Sequence, residues 1–503
     1  MQDPNFIIKI AVLAVYVGIL FLIGILASRR IKGMSDYYVG GKKMGFWAVA
    51  FSARATGESG WLLIGLTGMG AMAGYSGYWV VAGELLGVFI SWQFMAKRFK
   101  KRSDAFGAIT IPDYLHSHFK SSTNTLRILA ASILVVFIVI YVASQIDVTG
   151  VAFKSMLGID YKIGALIGFF IVLTYIFIGG FVAAVWSDLF QGLLMFFGLV
   201  LLPIVVWFSM DHGAGVTAGL KAIDPTLTQV MGRSSDGWMN LFTILGFSMI
   251  GLGFLGSPQV YVRFMSIKDE NEITKGKWVA VLFTLLTDAA AVTIGILARI
   301  YFTSEGQDPE AILGNSGENV LSMITEEFLP TVLVAIFVAI VLSAIMSTID
   351  SLLILASSAI TRDFYQKIFR PDLKDEDLAS FSRLVTVIMA VVALCIAILL
   401  YNLYPERKIF WIMIFGWSGI AATFCPVIIL SLFWKGYSEK GAIASMITGF
   451  VSVIFFKFVV SNMEGIGAYF IELDVLAPSF LFAMIVGYIV SKIAPPKHIE
   501  KST

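Results

Sequence analysis

The stretch that decides the fold is Arg54-Ala55-Thr56-Gly57-Glu58-Ser59-Gly60-Trp61, which interrupts the apolar segment 44–72. Two charges and two glycines stand where a simple membrane anchor would carry leucine or alanine. In hydrocarbon every backbone N–H and C=O needs a hydrogen-bond partner, so a broken helix is tolerated only where protein or a water-filled cavity surrounds it. Discontinuous helices of this kind hold ions and substrates in secondary transporters. The alternative interpretation is a glycine kink packed against a neighbouring helix.

Composition places the chain in a membrane. Its 503 residues are 58% hydrophobic and only 14% charged, with a mean hydropathy of +0.85, whereas soluble domains carry about 25% charged residues. Apolar stretches of about 17–25 residues or more predict membrane-spanning helices. Thirteen such spans are predicted: 6–28, 44–72, 76–96, 125–153, 161–182, 188–209, 237–265, 277–302, 328–362, 383–403, 409–433, 440–460 and 470–493. We therefore expect an all-α, multi-pass protein of the cell membrane.

Basic residues predict the orientation of these spans. With the N-terminus outside and the C-terminus inside, most of the 36 Lys and Arg residues fall in cytoplasmic loops or at inner span ends, as the positive-inside rule requires. Loop 303–327, predicted outside, has six acidic residues and no Lys or Arg. The basic stretch 97–102 is interpreted as a topology signal that touches anionic lipid. Membrane lipid, and not nucleic acid, is therefore an expected partner.

Other features argue against an enzyme. Cys395 and Cys425 lie in separate apolar spans and indicate neither a disulfide framework nor a metal site. The sequence contains no Walker loop, and residues 416–419 miss the nucleophile-elbow pattern by one position. We expect a transporter that draws on an ion gradient, and nothing in the sequence indicates an obligate protein partner.

Ionisable residues inside predicted spans carry most of the remaining information, because each is costly in lipid unless paired. Arg54 and Glu58 are four residues apart and could pair along one helix face. Arg299 lies near an outer span end, where its side chain can reach water. Five acids remain without a comparable basic partner: Glu84, Asp147, Asp288, Asp350 and, at the inner edge of the sixth span, Asp188. This surplus calls for sodium, protons or a cationic group on the substrate, unless each acid is protonated and hydrogen-bonded to a neighbouring helix.

A second group of polar residues lies on the ninth span. Ser347 and Thr348 offer adjacent hydroxyls, and the carbonyl of Ala344 lies one turn earlier. Neutral oxygens of this kind suit a small alkali cation. Hydroxyls in membrane spans also bond back to their own helix, so the pair alone is weak evidence for an ion site.

Several motifs together resemble the sodium:solute symporter family, with a pattern most similar to its sodium/proline symporters. The similarity extends in order from about residue 10 to about residue 460. The motifs are Ser-Gly-Trp-Leu-Leu at 59–63, Phe-Ile-Gly-Gly-Phe at 177–181, Trp-Ser-Asp at 186–188, Gly-Leu-Gly at 251–253 with Pro258, Arg-Phe-Met at 263–265, Met-Ser-Thr at 346–348 and Ser-Ser-Ala-Ile at 357–360.

The resemblance implies a LeuT-like fold of five plus five helices in inverted repeats, here 44–209 and 237–433, with one helix before this core and two after it at 440–493. It also implies a sodium site between the first core helix and the eighth. The implied sodium ligands are the carbonyls of Ala55, Glu58 and Ala344 and the hydroxyls of Ser347 and Thr348, with Asp188 as an associated aspartate. The implied substrate pocket contains Ser59, Gly60, Trp61, Tyr141, Phe254 and Pro258.

The chain also departs from the proline-type pattern. Gly57 replaces an aspartate, with Glu58 beside it, and Ile250 and Phe254 replace a tryptophan and a tyrosine. The pocket has thus lost two aromatic polar groups. Asp350 and the other additional acids suggest that a proton could replace or join sodium, and we hypothesise that Asp350 couples transport to protons or binds a second cation. The residues considered for coupling are Arg54, Glu84, Asp147, Asp288 and Asp350.

The first interpretation is sodium-coupled import of proline or a similarly small amino acid by alternating access. The second is a sodium- or proton-coupled symporter for another small solute, which could be cationic. A membrane sensor is a third hypothesis, but the chain ends about ten residues after its last predicted span, so a sensor would need a separate signalling partner. A passive channel is disfavoured because a broken-helix site with paired hydroxyls suits alternating access better than a continuous pore.

Overall fold

The computed structural model describes residues 5–30, 33–210, 215–374, 378–404 and 409–496, apart from the side chains of residues 178 and 409–411. These residues form helices and no named strand. The α-helices are Phe6–Ser28, Met34–Val39, Phe46–Gly60, Thr67–Ala73, Tyr78–Ile90, Ala96–Ala105, Ile111–His118, Thr125–Leu157, Tyr161–Ser209, Gly215–Ile223, Gly237–Met249, Pro258–Ser266, Glu270–Phe302, Pro309–Leu313, Val320–Phe328, Thr331–Ser358, Ala379–Leu403, Ile409–Phe433, Glu439–Phe458, Gly467–Leu473 and Leu476–Ile493. Segments of π-helix cover Trp61–Leu66, Ser91–Met95 and Ala359–Phe369.

Eleven helical stretches within the described ranges are long and apolar enough to cross a membrane. One of them, Phe46–Ala105, contains two of the predicted spans, and Tyr161–Phe177 is a further apolar helix of shorter length. The prediction of an all-α membrane protein is confirmed. The count of thirteen spans and the orientation of the termini stay predictions.

Two glycines mark where long helical stretches change direction. Gly74 has a φ of +61° between the predicted second and third spans, and Gly180 has a φ of +50° near the end of the predicted fifth span. L-residues rarely adopt this left-handed region, so glycine is favoured at such corners. The sequence placed the start of the sixth span at 188, which is wrong, because the apolar helix already begins at Gly179. Asp188 therefore lies inside a membrane helix rather than at its edge.

Two helices are broken in their middle. The first broken helix, residues 46–73, is interrupted at Ser59, whose φ of 51° and ψ of −169° are not helical. The second broken helix, Gly237–Ser266, passes through a 3-10 segment at Ile250–Leu255 before Pro258 begins its second half. Proline suits the first turn of a helix because it has no N–H to leave unpaired. The predicted break in the second span is therefore present, and it falls at Ser59.

Thr331–Phe369 is, together with Ile412–Phe433, the most enclosed of the described membrane-length helices, since 83% of its apolar 18-residue stretch is buried. It packs against both the first broken helix and the long helices Thr125–Leu157 and Tyr161–Ser209. Small residues bring other helices close, as is common in membrane proteins. A Cβ added at Gly251 would lie 2.0 Å from the carbonyl oxygen of Gly83. The second broken helix and Tyr78–Ile90 therefore meet backbone to backbone beside the site.

Candidate functional site

The break at Ser59 frees the carbonyls that end the first half-helix. The last carbonyls of a helix have no partner within it and must find one elsewhere. The carbonyl of Glu58 accepts the backbone N–H of Trp61, and the carbonyl of Gly57 accepts the indole N–H of Trp61 at 3.3 Å. The carbonyls of Ala55 and Thr56 are left to accept hydrogen bonds from another helix.

That other helix is Thr331–Ser358, through its paired hydroxyls. The Ser347 hydroxyl donates to the carbonyls of Ala55 and Ala344, both at 3.1 Å. The Thr348 hydroxyl donates to the carbonyls of Thr56 at 3.1 Å and of Ala344 at 3.2 Å. Both hydroxyls are fully buried. Five oxygens from two helices therefore converge, and we call this set the sodium oxygens: Ala55 O, Thr56 O, Ala344 O, Ser347 Oγ and Thr348 Oγ1.

The structure brings together four of the five predicted ligands, and it adds the carbonyl of Thr56 beside them. The Glu58 carbonyl makes its hydrogen bond with Trp61 in the turn after the break, and no hydrogen bond joins it to Ser347 or Thr348 among the described residues. The carbonyl of Thr56 occupies the corresponding place. A sequence alone does not say which carbonyls of a broken helix are free, because this depends on the residue at which the helix ends.

Asp188 is connected to the sodium oxygens through one intervening residue, Thr56. Its Oδ2 accepts the hydroxyl of Ser52 at 2.6 Å and that of Thr56 at 3.4 Å, and the Thr56 hydroxyl also donates to the Ser347 carbonyl at 3.2 Å. The side chain of Asp188 is fully buried. Asp188 does not cap a helix, because it lies inside the continuous helix that starts at Gly179.

Asp188 pairs with Arg263. This arginine belongs to the Arg-Phe-Met motif at 263–265, but it was not among the predicted site residues. Arg263 Nη2 lies 3.1 Å from Asp188 Oδ2, and the side chain is only 1% exposed. Its Nε donates to Ser52 at 2.9 Å and its Nη1 to the carbonyl of Gln259 at 2.6 Å. Its Nη2 also donates to the hydroxyls of Thr56, at 2.7 Å, and of Ser351. All three nitrogens therefore have partners.

We call this second set the Arg263 cluster. It joins both broken helices to the two helices that carry the acids, and so it holds together every element around the sodium oxygens. Its members are Arg263, Asp188, Ser52, Thr56, Ser351 and Asp350.

Asp350 belongs to the Arg263 cluster and not to the surroundings of Arg54. Its Oδ1 accepts the hydroxyl of Ser351 at 2.8 Å, and its Oδ2 accepts the hydroxyl of Tyr175 at 3.0 Å. Tyr175 lies on the neighbouring helix Tyr161–Ser209. This geometry matches the alternative in which Asp350 accepts hydrogen bonds from an adjacent span.

A separate charged group surrounds Arg54. Arg54 forms ion pairs with Glu58 and, at 3.4 Å, with Glu84, which confirms the predicted pairing of Arg54 with Glu58. Oxygens of Glu58, Glu84 and Asp288 all lie within 4.8 Å of one another, and the three side chains are fully buried. We call these four residues the Arg54 cluster. It contains three acids and one cation, and two nitrogens of Arg54 have no hydrogen-bond partner among the described residues.

The last predicted acid, Asp147, lies apart from both clusters. Its Oδ1 accepts the hydroxyl of Tyr161 at 2.5 Å. Tyr161 begins the next helix, so this bond ties the end of one membrane helix to the start of the following one. Asp147 therefore forms a hydrogen bond between helices and belongs to neither the Arg54 cluster nor the Arg263 cluster.

The predicted substrate residues of the first broken helix meet the fourth span at the break. The hydroxyl of Tyr141 donates to Ser59 Oγ at 3.2 Å, and the backbone N–H of Gly60 donates to Gln145 Oε1 at 3.1 Å. Trp61 lies beside them, with its backbone N–H 3.3 Å from Ser59 Oγ. Gln145 was not predicted, although it is one helical turn after Tyr141. Its amide nitrogen is buried without a hydrogen-bond partner.

The second broken helix contributes Phe254 through its aromatic ring. The ring of Phe254 lies 5.0 Å from that of Trp417, another residue that the prediction missed, and Trp417 donates to the carbonyl of Ile250 at 3.2 Å. The guanidinium carbon of Arg54 lies 4.4 Å from the Phe254 ring centroid. Pro258 starts the second half of its helix and has a positional role there.

The structure links two departures from the proline-type pattern. A Cβ added at Gly57 would lie 2.6 Å from Cε1 of Phe254, which is closer than real Cβ atoms come to a neighbour. Phe254 therefore occupies the space that a side chain at position 57 would need. The missing aspartate and the phenylalanine are parts of one local rearrangement of the pocket.

Comparison with known proteins agrees with this architecture. Residues 37–449 match the sodium:solute symporter family. The high-affinity proline transporter PutP of Bacillus subtilis (strain 168) is 35% identical over 440 residues, covering 86% of this chain and 89% of that protein. The sodium/proline symporter of Haemophilus influenzae (strain ATCC 51907 / DSM 11121 / KW20 / Rd) is 30% identical over 500 residues, covering 97% of this chain and 94% of that protein.

A solved structure shares the fold. The substrate-bound, outward-open state of a Na+-coupled sialic acid symporter superposes with a TM-score of 0.78 at 20% sequence identity, covering 98% of this chain and 99% of that chain. This likeness concerns the fold, and the assignment of the family rests on the sequence matches. The chain belongs to the sodium:solute symporter family.

Proposed function

We propose that the protein imports proline, or a similarly small amino acid, together with sodium by alternating access. The observation that carries this proposal is the convergence of the Ser347 and Thr348 hydroxyls on the carbonyls that end the first half-helix. Unwound carbonyls and half-helix ends are the groups that coordinate coupling ions in transporters with broken helices. Sodium bound there would connect the first broken helix to Thr331–Ser358, two elements that must move relative to each other.

The proposed sodium ligands are the sodium oxygens, with Asp188 as the nearest acid. Asp188 reaches them through the hydroxyl of Thr56, so its charge would favour a cation without direct contact. Asp188 is held in turn by Arg263. The proposal therefore separates the residues that would touch sodium from those that position them.

The proposed solute pocket combines backbone N–H groups with aromatic rings. The second half of the first broken helix begins near Gly60 and Trp61, and the positive end of a half-helix is suited to a substrate carboxylate. Tyr141, Phe254 and Trp417 border the same region with apolar surface. A small amino acid with an apolar ring, such as proline, fits these two requirements.

Two relatives support proline as the first solute to test. PutP and the Haemophilus symporter are named for proline and match nearly the whole chain. Gly57, Ile250 and Phe254 alter the pocket relative to that pattern, so a panel of small amino acids belongs in the same experiment. The proposal also includes the inverted repeats 44–209 and 237–433 as the units that would rearrange during transport.

Uptake by reconstituted protein tests the proposal. Proteoliposomes would receive an inward gradient of sodium, lithium or protons, with radiolabelled L-proline and a panel of small amino acids outside. We expect accumulation of one solute above its external concentration under the sodium gradient, and its abolition by a sodium ionophore. Flux that only equilibrates the solute, or that ignores sodium, would contradict the proposal and favour a channel or a sensor.

A cationic solute is a second candidate, and the Arg54 cluster favours it. This cluster carries three acids and one cation, and Arg54 lies against Phe254 in the proposed pocket. A cationic group on the solute would balance the excess negative charge. The same uptake panel distinguishes the candidates, because a cationic solute would compete with labelled proline or would be accumulated in its place.

A further inference from the structure

The helix bundle has an open cavity at one end and a closed one at the other. A cavity of 590 Å³, with Met69 in its wall, lies beyond the break at the end that is predicted to face outside. Next to the Arg263 cluster, a cavity of only about 10 Å³ is lined by Arg263 and Ser351, which is room for about one water molecule. We call this second space the inner cavity.

The inner cavity follows the helical stretch Thr331–Phe369 toward its predicted cytoplasmic end. Ser351 lies one helical turn after Ser347 and Thr348, and Ser358, another lining residue, lies about two turns farther along. The inner cavity therefore extends about 10 Å from the Arg263 cluster toward the cytoplasm. A route from the sodium oxygens to that end of the helix leads through this space, and the structure has the route closed.

One wall of the inner cavity carries an amide group without partners. Gln259 is 1% exposed, and neither its Oε1 nor its Nε2 has a hydrogen-bond partner among the described residues. Four residues later on the same helix, Arg263 has a partner for each of its nitrogens. A buried amide without partners is unfavourable and uncommon in native structures. A second conformation, in which water enters the inner cavity, would supply the missing partners.

A short loop closes the inner cavity. Residues 34–44, which we call the inner strap, connect the first helix to the first broken helix and contain the helix Met34–Val39. Connecting loops usually run over the surface, but Tyr38 in this loop is 1% exposed and lines the inner cavity. Since the loop is predicted to lie at the cytoplasmic end, Tyr38 separates the inner cavity from the cytoplasm.

The hydroxyl of Tyr38 attaches the inner strap to two core helices. Its oxygen lies 2.5 Å from Oγ of Ser382 on Ala379–Leu403. Ser357 on Thr331–Ser358 donates its hydroxyl to the Ser382 carbonyl at 2.8 Å, and the two hydroxyl oxygens lie 2.9 Å apart. All three side chains are buried. These hydrogen bonds fasten the inner strap to the helix that also carries two of the sodium oxygens.

The other end of the inner strap is fixed to the broken helices. Met44 donates its backbone N–H to the Ser266 carbonyl at 3.0 Å and accepts the N–H of Lys268 at 2.9 Å. Lys42 Nζ lies 2.9 Å from Asp104 Oδ1. The inner strap therefore bridges the same two sets of helices that the proposed sodium site bridges, the broken helices on one side and Thr331–Ser358 on the other.

A turn of unusual backbone separates these two attachments. Gly40, Gly41 and Lys42 have φ values of 58°, 62° and 56°, which lie in the left-handed region. Glycine adopts this region readily, whereas a lysine there is uncommon. Hinges are a few loop positions that absorb backbone rotation. Rotation at these three residues would move Tyr38 while Met44 stays in place.

We propose that the inner strap is the cytoplasmic gate of this transporter, with Tyr38 as its latch. While Tyr38 is bonded to Ser382, the inner cavity stays closed and Gln259 stays dry. Release of Tyr38 lets water reach Gln259 and opens the exit for sodium and solute. This inference rests on the proposed function, because alternating access requires an exit that opens.

Cysteine accessibility in lipid nanodiscs tests the gate, because both ends of the protein are then exposed to a water-soluble maleimide. Ser358→Cys reports the inner cavity in a chain whose Cys395 and Cys425 are replaced by alanine. Ser445→Cys in the same chain reports general loosening, since Ser445 is fully buried on Glu439–Phe458 and does not line the inner cavity. The labelling rate is measured for each position, and both should react slowly with Tyr38 intact.

Tyr38→Phe removes only the hydroxyl of the latch. We expect labelling of Ser358→Cys to become about three- to tenfold faster, which is the effect of one hydrogen bond on an opening equilibrium, while Ser445→Cys stays slow. The matched control is Tyr114→Phe, which removes another buried hydroxyl, 3.2 Å from Ser431 Oγ, outside the inner cavity. Its labelling rates should stay within about twofold of the parent chain.

Two more variants test the gate even if Tyr38→Phe does not fold. Ser382→Ala removes the partner of Tyr38 and should speed labelling of Ser358→Cys to a similar extent. The double variant should go no further, because both changes break the same hydrogen bond. Gln259→Leu removes the amide that an open inner cavity would hydrate, so labelling should become slower. A role of Gln259 in holding the fold together would instead speed labelling at both cysteines.

Three results would overturn the gate: unchanged labelling of Ser358→Cys in both Tyr38→Phe and Ser382→Ala, an equal rise in Tyr114→Phe, or an equal rise at Ser445→Cys. Failure of the proposed function looks different. If sodium drives no solute uptake while the latch variants still open the inner cavity selectively, the assigned ion and solute are wrong and the gate stands.

Discussion

The Arg54 cluster and the Arg263 cluster are both buried, and both are built around one arginine, yet their hydrogen bonding differs. Every nitrogen of Arg263 has a partner in Ser52, Thr56, Asp188, Ser351 or the Gln259 carbonyl. Arg54 has ion pairs with two acids, but its Nε and Nη1 have no hydrogen-bond partner in the described part of the chain.

The comparison suggests different roles for the two clusters. A buried polar network in which each group is satisfied makes the surrounding structure rigid and specific. The Arg263 cluster comes close to this property, because Oδ1 of Asp188 is its one side-chain atom without a hydrogen-bond partner among the described residues, and it lies directly beside the sodium oxygens. The Arg54 cluster has an excess of two negative charges if all its acids are ionised, and it retains unpartnered atoms. It therefore has a larger capacity to accept a proton or a cation than the Arg263 cluster, in which two acids surround one arginine.

The largest effect on stability is expected from removing the cation of the Arg263 cluster. Arg263→Met would leave Asp188 buried without a counterion, and loss of one partner of a buried ion pair costs about 3–5 kcal/mol. Thermal unfolding in detergent should show a large fall in melting temperature. The double variant Arg263→Met/Asp188→Asn should recover part of this loss because it removes the unpaired charge as well. An additive double variant would contradict the coupling of the two residues.

Removing an acid should have opposite consequences in the two clusters. Asp188→Asn breaks the ion pair with Arg263, so the melting temperature should fall. Transport at low sodium should also slow, while the protein still reaches the membrane. Asp288→Asn lowers the excess negative charge around Arg54, so the melting temperature should stay constant or rise. Melting curves of the two variants, measured side by side, give the comparison. Equal destabilisation by both substitutions would show that Asp288 stabilises the fold as much as Asp188 does.

If the Arg54 cluster accepts a cation during transport, its acids should also affect the charge that is moved. Glu84→Gln should then reduce the number of positive charges transported per solute, measured from the reversal potential of proteoliposomes. A matched control is Asp147→Asn, because Asp147 lies outside both clusters. An unchanged charge ratio in Glu84→Gln would assign the Arg54 cluster a purely structural role.

A smaller effect is expected at Asp350. Its two hydrogen bonds, from Tyr175 and Ser351, predict that Asp350→Asn lowers the free energy of unfolding by about 1–3 kcal/mol and leaves the pH profile and cation stoichiometry of uptake unchanged. Tyr175→Phe removes one of the same hydrogen bonds from the other side and should have a similar but smaller effect. A flattened pH profile in Asp350→Asn alone would instead support the hypothesis that Asp350 couples transport to protons.

The sequence predicted the first broken helix and its hydroxyl partners because both have a local signature. A charged, glycine-containing interruption of an apolar run is visible in the chain, and Ser347 and Thr348 are adjacent. The pairing of Arg54 with Glu58 was also predictable, since residues four apart face each other on a helix. These features depend on neighbours in the chain rather than on the packing of distant helices.

The missed residues depend on contacts that no local pattern reveals. Arg263 lies at the end of a predicted span, where basic residues usually serve topology, and its acid partner Asp188 is 75 positions earlier in the chain. The exchange of the Glu58 carbonyl for that of Thr56 follows from the single residue, Ser59, at which the helix ends.

The central claim is that sodium binds where the Ser347 and Thr348 hydroxyls meet the carbonyls of the first broken helix. The most direct test is the sodium concentration needed for half-maximal solute uptake by proteoliposomes. Ser343→Ala and Thr361→Ala are matched controls, because each removes the same hydroxyl from a buried position on the same helical stretch but away from the sodium oxygens. We predict that Ser347→Ala and Thr348→Ala each raise this concentration about tenfold or more, while the two controls stay near the wild-type value. Equal sodium dependence in all four variants would contradict the claim.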